Sequence, residues 1–169
     1  MIRLTLTQSE IDICTYVGTY RNHITSQQGT ERKQDASLDS LQMSINGVIT
    51  EYAVAKVLNL HFDVDCTFRK FGADLITHKN KTIDVKSTMT HGGNLNAVFW
   101  SEQKGADIFI LTEILNRAIG IVGWTSREKF LIPAHVKNVG NGDFYSMPQN
   151  KLWPIDDFIK HKDTLRTGG

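Results

Sequence analysis

The chain is expected to fold as one α/β domain, with a mixed central sheet flanked by helices. Two long helical patterns open the sequence, short strand-like runs begin near residue 61, and strands then alternate with short helices. A length of 169 residues suits a single hydrophobic core. Forty per cent apolar and 22 per cent charged residues are ordinary for a globular chain.

The elements follow in order. Residues 1–8 read as a short strand or arm. Thr7-Gln8-Ser9-Glu10 is a capping box ahead of Ile11, Ile13, Cys14 and Val17, which predicts a first helix to about Ser26. The polar stretch from Gln27 to Asp39 reads as a loop. A second helix is expected from about Leu38 to Asn59, apolar nearly all round and therefore buried. Glu51 is the only acid in its central stretch. Gly47 lies one turn earlier on the same face and costs about 1 kcal/mol against alanine, which suggests close approach of a backbone or ligand. Residues 61–68, 72–77 and 81–88 read as three strands, with His91-Gly92-Gly93-Asn94 as a loop and Ala97 to Trp100 open to either state. Asp107 to Leu115 and Arg117 to Trp124 are further strands, linked tightly at Asn116 and Arg117. Thr125-Ser126-Arg127-Glu128 opens a short helix to about Leu131, and Gly140 to Asp143 is a turn. Pro154, Asp156 and Asp157 mark a last helix start, with acids at the positive end of its dipole. Residues 1–169 thus form one domain, with a core at about 40–125 and with the first helix and 132–169 as additions.

Composition narrows function. A net charge of +1 lacks the broad basic footprint of many nucleic-acid binders, so such contact requires a local patch. Cys14 and Cys66 have no Cys-x-x-Cys spacing and read as buried, reduced thiols. With no secretory segment and no run of 18 apolar residues, a cytoplasmic location without membrane insertion is the expectation. The six histidines, at 23, 61, 78, 91, 135 and 161, show no zinc spacing and read as surface or loop residues. Trp100, Trp124 and Trp153 read as core or partly buried.

The chemistry concentrates in Lys81-Thr82-Ile83-Asp84-Val85-Lys86-Ser87-Thr88, which follows Gly72-Ala73-Asp74-Leu75-Ile76. On a strand, Asp84 and Lys86 share one face while Ile83 and Val85 share the other. Two adjacent strands would bring Asp74 beside them, giving two carboxylates and an ammonium that suit a hard divalent cation and an activated water. An acid-x-Lys triplet is weak alone, and the chain has three. Glu31-Arg32-Lys33 and Glu102-Gln103-Lys104 lack strand context, whereas Asp84-Val85-Lys86 has it. Plainer roles stand beside these. Asp84 and Lys86 suit an exposed strand pair, Asp74 a turn residue after Gly72, and Glu51 a structural salt bridge to a lysine or arginine.

The order of these residues resembles the PD-(D/E)XK nuclease superfamily. Glu51 in Asn46-Gly47-Val48-Ile49-Thr50-Glu51-Tyr52-Ala53 matches the helix acid, Asp74 the strand acid, and Asp84-Val85-Lys86 the name-giving pair. The pattern is most similar to archaeal Holliday-junction resolvases and small virus-encoded nucleases. It covers roughly residues 40–125, and Ala73 stands where the name-giving proline would be. The resemblance implies a restriction-endonuclease-like mixed sheet flanked by helices, with an extra N-terminal helix. It also implies a Mg²⁺-dependent DNA nuclease, most simply an endonuclease, with Mn²⁺ as a substitute and DNA as partner. Asp74 and Asp84 would hold the metal, and the Val85 carbonyl would join them. Lys86 would orient or deprotonate the attacking water, and Glu51 would hold a second metal or a water of the first. Gln103 and Lys104 resemble a further helix element of some branches. With Lys70 and Lys81 they are the expected nucleic-acid contacts; Arg69 and Lys79 also flank the site. Many members of that superfamily are dimers, so a homodimer is a further expectation. The alternative is a non-catalytic protein that keeps the fold for nucleic-acid binding or assembly.

Overall fold

The computed structural model describes residues 1–27, 40–67, 72–99, 101, 105–115, 118–140 and 142–161. Strand β1 (Ile2–Leu4) leads into helix α1 (Gln8–Gln27), which packs against α2 (Ser40–Leu58). The capping box forms. The Thr7 N–H donates to Glu10 Oε2 at 2.8 Å, and the Glu10 N–H donates back to Thr7 Oγ1 at 3.3 Å.

Strands β2 (Leu75–Ile76), β3 (Thr82–Thr88), β5 (Ile108–Leu115) and β6 (Ala118–Ser126) build the main sheet in the order β1-β6-β5-β3-β2. β3 and β5 are parallel, and the other pairs along this order are antiparallel. The sheet is therefore mixed, as expected. A second, three-stranded antiparallel sheet is formed by β4 (Leu95–Val98), β7 (Val136–Asn138) and β8 (Asp143–Met147), in the order β4-β8-β7. Helix α3 (Arg127–Phe130), the two-residue β9 (Trp153–Pro154) on the outer edge of β6, and α4 (Ile155–His161) complete the described chain.

Both faces of the main sheet are covered, which explains the nearly continuous apolar run of β5. Ile83, Val85, Ile108 and Ile110 meet Val54, Ala55 and Leu58 of α2 and Phe158 of α4 on one side. Phe109 and Leu111 meet Leu95, Ala97, Tyr145 and Met147 of the small sheet and Phe130 of α3 on the other. Among the described residues, no helix is long and apolar enough to cross a membrane.

Several expectations are corrected here. Of the strand expected at 61–68, the described residues 61–67 form none; the Asp63 and Asp65 carboxylates instead accept from the N–H groups of Asp65 and Thr67. The expected strand at 72–77 shrinks to Leu75–Ile76. Gly47 meets no close neighbour, since a Cβ there would find nothing within 4 Å. The close approach is at Gly18, where a Cβ would lie 2.7 Å from the Ile45 Cα. His135 is buried, its Nδ1 2.9 Å from the Phe130 carbonyl, rather than lying at the surface. Trp124 is buried while Trp153 is exposed at the rim beneath Lys129. The Asn116–Arg117 link, Trp100 and most of the 27–39 loop lie outside the described residues.

Candidate functional site

β3 sits between the long β5 and the very short β2, and the candidate residues gather along its β2 side. Leu75 pairs with Ile83 and Ile76 with Thr82, after which β2 ends. Asp74 stands just before β2, and its N–H donates to the Ile83 carbonyl at 3.0 Å. Its carboxylate takes over where the ladder stops. Asp74 Oδ2 accepts the Val85 N–H at 2.7 Å. In a strand the N–H and C=O of one residue point to the same side. The Val85 carbonyl therefore faces the edge that the Asp74 carboxylate occupies.

The side chains of Asp84 and Lys86 leave β3 on the face opposite α2, because Ile83 and Val85 fill the helix side. Lys86 Nζ lies 2.7 Å from Asp84 Oδ2. The Asp84 side chain is 3% exposed and that of Lys86 23%. A carboxylate so deeply placed needs a compensating cation, and Lys86 supplies it. Two of the expected pairings are thus made: Asp74 touches the Asp84-Val85-Lys86 backbone, and Asp84 touches Lys86.

Glu51 is engaged elsewhere. Arg21 of α1 donates through Nη1 to Glu51 Oε2 at 2.7 Å and through Nη2 to the Asp63 carbonyl at 2.8 Å. That ion pair matches the plainer role weighed for Glu51. Among the described residues, no three His, Cys, Asp or Glu side chains come together as a metal-holding group. Lys81 Nζ lies 3.7 Å from Asp107 Oδ1, on the carboxylate that also holds the N–H and hydroxyl of Thr82. Burial raises the Asp107 pKa, but the bonds from Thr82 and the nearby Lys81 outweigh it and leave the carboxyl below its ordinary range. Lys70, Gln103 and Lys104 lie outside the described residues, as does Arg69.

One charged group escaped the sequence reasoning. Glu113 is fully buried at the end of β5 and lies opposite Thr88 of β3. It accepts from the Gly92 N–H at 2.8 Å and from Gln149 Nε2 at 2.5 Å, and His91 Nδ1 lies 3.2 Å away. The signal was an acid inside an apolar strand. A shallow hollow of about 250 Å³ between Tyr52, Lys56 and Phe62 lies on the helix side, apart from Asp84 and Lys86.

A mixed α/β protein with an acid and a lysine on one strand of its main sheet, and a second acid bonded to that strand's backbone, is the class that fold and site define. The chain belongs to a family of unknown function, DUF5843, which matches residues 2–119. That span holds Glu51, Asp74, Asp84, Lys86, His91 and Glu113. No curated protein and no solved structure matches the chain.

Proposed function

We propose that the protein is a Mg²⁺-dependent nuclease that hydrolyses DNA phosphodiester bonds, most simply as an endonuclease with a restriction-endonuclease-like core. The observation that carries this is the 2.7 Å bond from the Val85 N–H to Asp74. It fixes the first acid against the middle residue of Asp84-Val85-Lys86, in a donor set made only of hard oxygens. Two carboxylates and one carbonyl suit Mg²⁺, which retains several waters, so a third carboxylate is not required. Asp74, Asp84 and the Val85 carbonyl would hold the ion, which when bound supplies charge stabilisation and an acidified water.

The chain's own residues do the rest. Lys86 Nζ, 2.7 Å from Asp84, would be the ammonium that orients the attacking water and offsets charge developing on the phosphoryl oxygens. Glu51 stays with Arg21, which favours one ion over two.

Purified protein with Mg²⁺ or Mn²⁺ is expected to nick or cut at least one of linear, nicked, single-stranded and branched DNA. Asp84→Ala and Lys86→Ala should each lower that rate by roughly 100-fold or more. No cleavage of any of these substrates with either metal would overturn the proposal.

A second function draws on one observation: each expected acid already has an internal partner, namely Arg21 for Glu51, Val85 for Asp74 and Lys86 for Asp84. A non-catalytic binding or assembly protein would keep such contacts permanently. Calorimetric titration with Mn²⁺ separates the two. A nuclease shows a site that Asp74→Ala and Asp84→Ala abolish, and the binding protein shows none.

A further inference from the structure

We propose that His91, held in place by the buried carboxylate of Glu113, contacts a phosphate oxygen of a bound nucleic-acid strand next to the phosphate engaged at Asp84 and Lys86. This rests on the proposed nuclease site at Asp84 and Lys86.

Glu113 shares its face of β5 with Phe109 and Leu111, and its register partner Thr88 shares the face of β3 that carries Asp84 and Lys86. Burial raises its pKa, but the bonds from Gln149, the Gly92 N–H and His91 outweigh that and hold it below the ordinary range. Glu113 is therefore an ionised, acceptor-only group, so the nitrogen facing it, His91 Nδ1, carries the hydrogen. The His91 side chain is 77% exposed against 0% for Glu113. Nε2 is the ring nitrogen that Glu113 does not use.

The turn that presents the ring is tightly built. The Thr90 N–H donates to Thr88 Oγ1 at 3.1 Å, the Gly93 N–H donates to the Thr90 carbonyl at 3.0 Å, and Gln149 donates to the Gly93 carbonyl at 2.9 Å. A Cβ on Gly93 would lie 2.4 Å from Thr88 Oγ1, and Gly92 has a φ of 73°. Gly92 and Gln149 both donate to Glu113 Oε1, and His91 Nδ1 faces Oε2, so the imidazole completes the buried carboxylate and in doing so has its ring direction set. What the pair adds is a ring of fixed direction. A protonated ring would donate Nδ1–H to Glu113 and Nε2–H to a phosphate, a charge-assisted bridge between two anions. Thr88, from which this turn departs, lies two residues beyond Lys86, about 7 Å along the same strand face, so the turn carrying His91 leaves the strand end next to Lys86.

The test is binding of a fluorescent oligonucleotide by anisotropy in Ca²⁺ across a salt series, with a cleavage assay in Mg²⁺ run beside it. His91→Ala should raise Kd by about 5–10-fold and lower the salt slope by about one phosphate contact, and His91→Lys should restore both. A His91→Ala protein with unchanged affinity and slope, in a wild type that cuts DNA, overturns this contact and leaves the cleavage proposal standing. So does weaker binding at an unchanged slope, which marks a purely structural role. Wild-type binding through His91 without cleavage keeps the contact and removes the nuclease. A wild type that binds no DNA overturns both.

Discussion

Arg21 changes the meaning of Glu51. From the sequence, a lone acid on an apolar helix invites a catalytic role, because an unpaired buried carboxylate is costly. Its partner comes from another helix, 30 residues earlier, and no local pattern announces that pairing. The Asp84 and Lys86 alternation was legible because strand periodicity is local, and the 2.7 Å contact between them follows from it. Glu113 was legible in principle as a charge within β5, but its three donors come from a turn and a segment far apart in sequence. Arg21→Ala strands a Glu51 side chain that is only 14% exposed and strips the Asp63 carbonyl of a donor. We expect a loss of about 1–3 kcal/mol in urea unfolding. Glu51→Gln, which keeps an acceptor for Arg21, should lose less.

Helix ends are legible in the sequence and helix contacts are not. The capping box lies within four consecutive residues, so α1 begins where it was expected. Glu10 also accepts from Lys56 of α2 at 2.5 Å and from Tyr52 at 3.0 Å, which ties the two helices together. Lys56, the Thr7 backbone and further partners lower its pKa to about 2 from an ordinary 4.5. A depressed carboxylate contributes stability above its unfolded pKa and loses it as pH falls through the folded value. Thermal stability should therefore decline between pH 4.5 and about 2, and Glu10→Gln should flatten that part of the Tm profile. The glycines reverse the expectation. Gly47 lies mid-helix, yet nothing crowds it, whereas Gly18 lets α1 approach the Ile45 backbone. Helix propensity is visible in one segment, and crowding requires both. Gly18→Ala should cost roughly 1–3 kcal/mol by forcing the helices apart. Gly47→Ala should gain about 0.5–1 kcal/mol. Denaturation of the two variants side by side checks both signs.

Among the described residues, the two largest apolar clusters lie on opposite sides of the main sheet, and β5 feeds both. The mixed sheet was legible from the alternation of helical and strand-like runs. The small sheet was not, because its strands are three to five residues long and β4 pairs with a strand about 50 residues later, Leu95 with Met147. Such pairings leave only weak marks, such as the 140–143 turn, where Gly140 and Gly142 take φ values of 94° and 102°. A strand shared by both clusters should make the described core unfold as one unit. Far-UV and near-UV circular dichroism should report coincident transitions. Phe109→Ala, which empties the cluster beside Phe130, should lower the midpoint of both signals together at a cost of about 3–5 kcal/mol. A near-UV transition that separates from the far-UV one would show that the small sheet melts alone.

The alternation along β5 also makes a misaligned sheet costly. Displacing that strand by a single residue would turn Glu113 toward the apolar layer beneath α2, where Gly92 and Gln149 could not reach it. A misaligned chain would thus carry a naked anion in oil, while the correctly aligned one finds three donors waiting. The same acid that looks like an intruder in a greasy strand gives the sheet a way to recognise its own proper alignment.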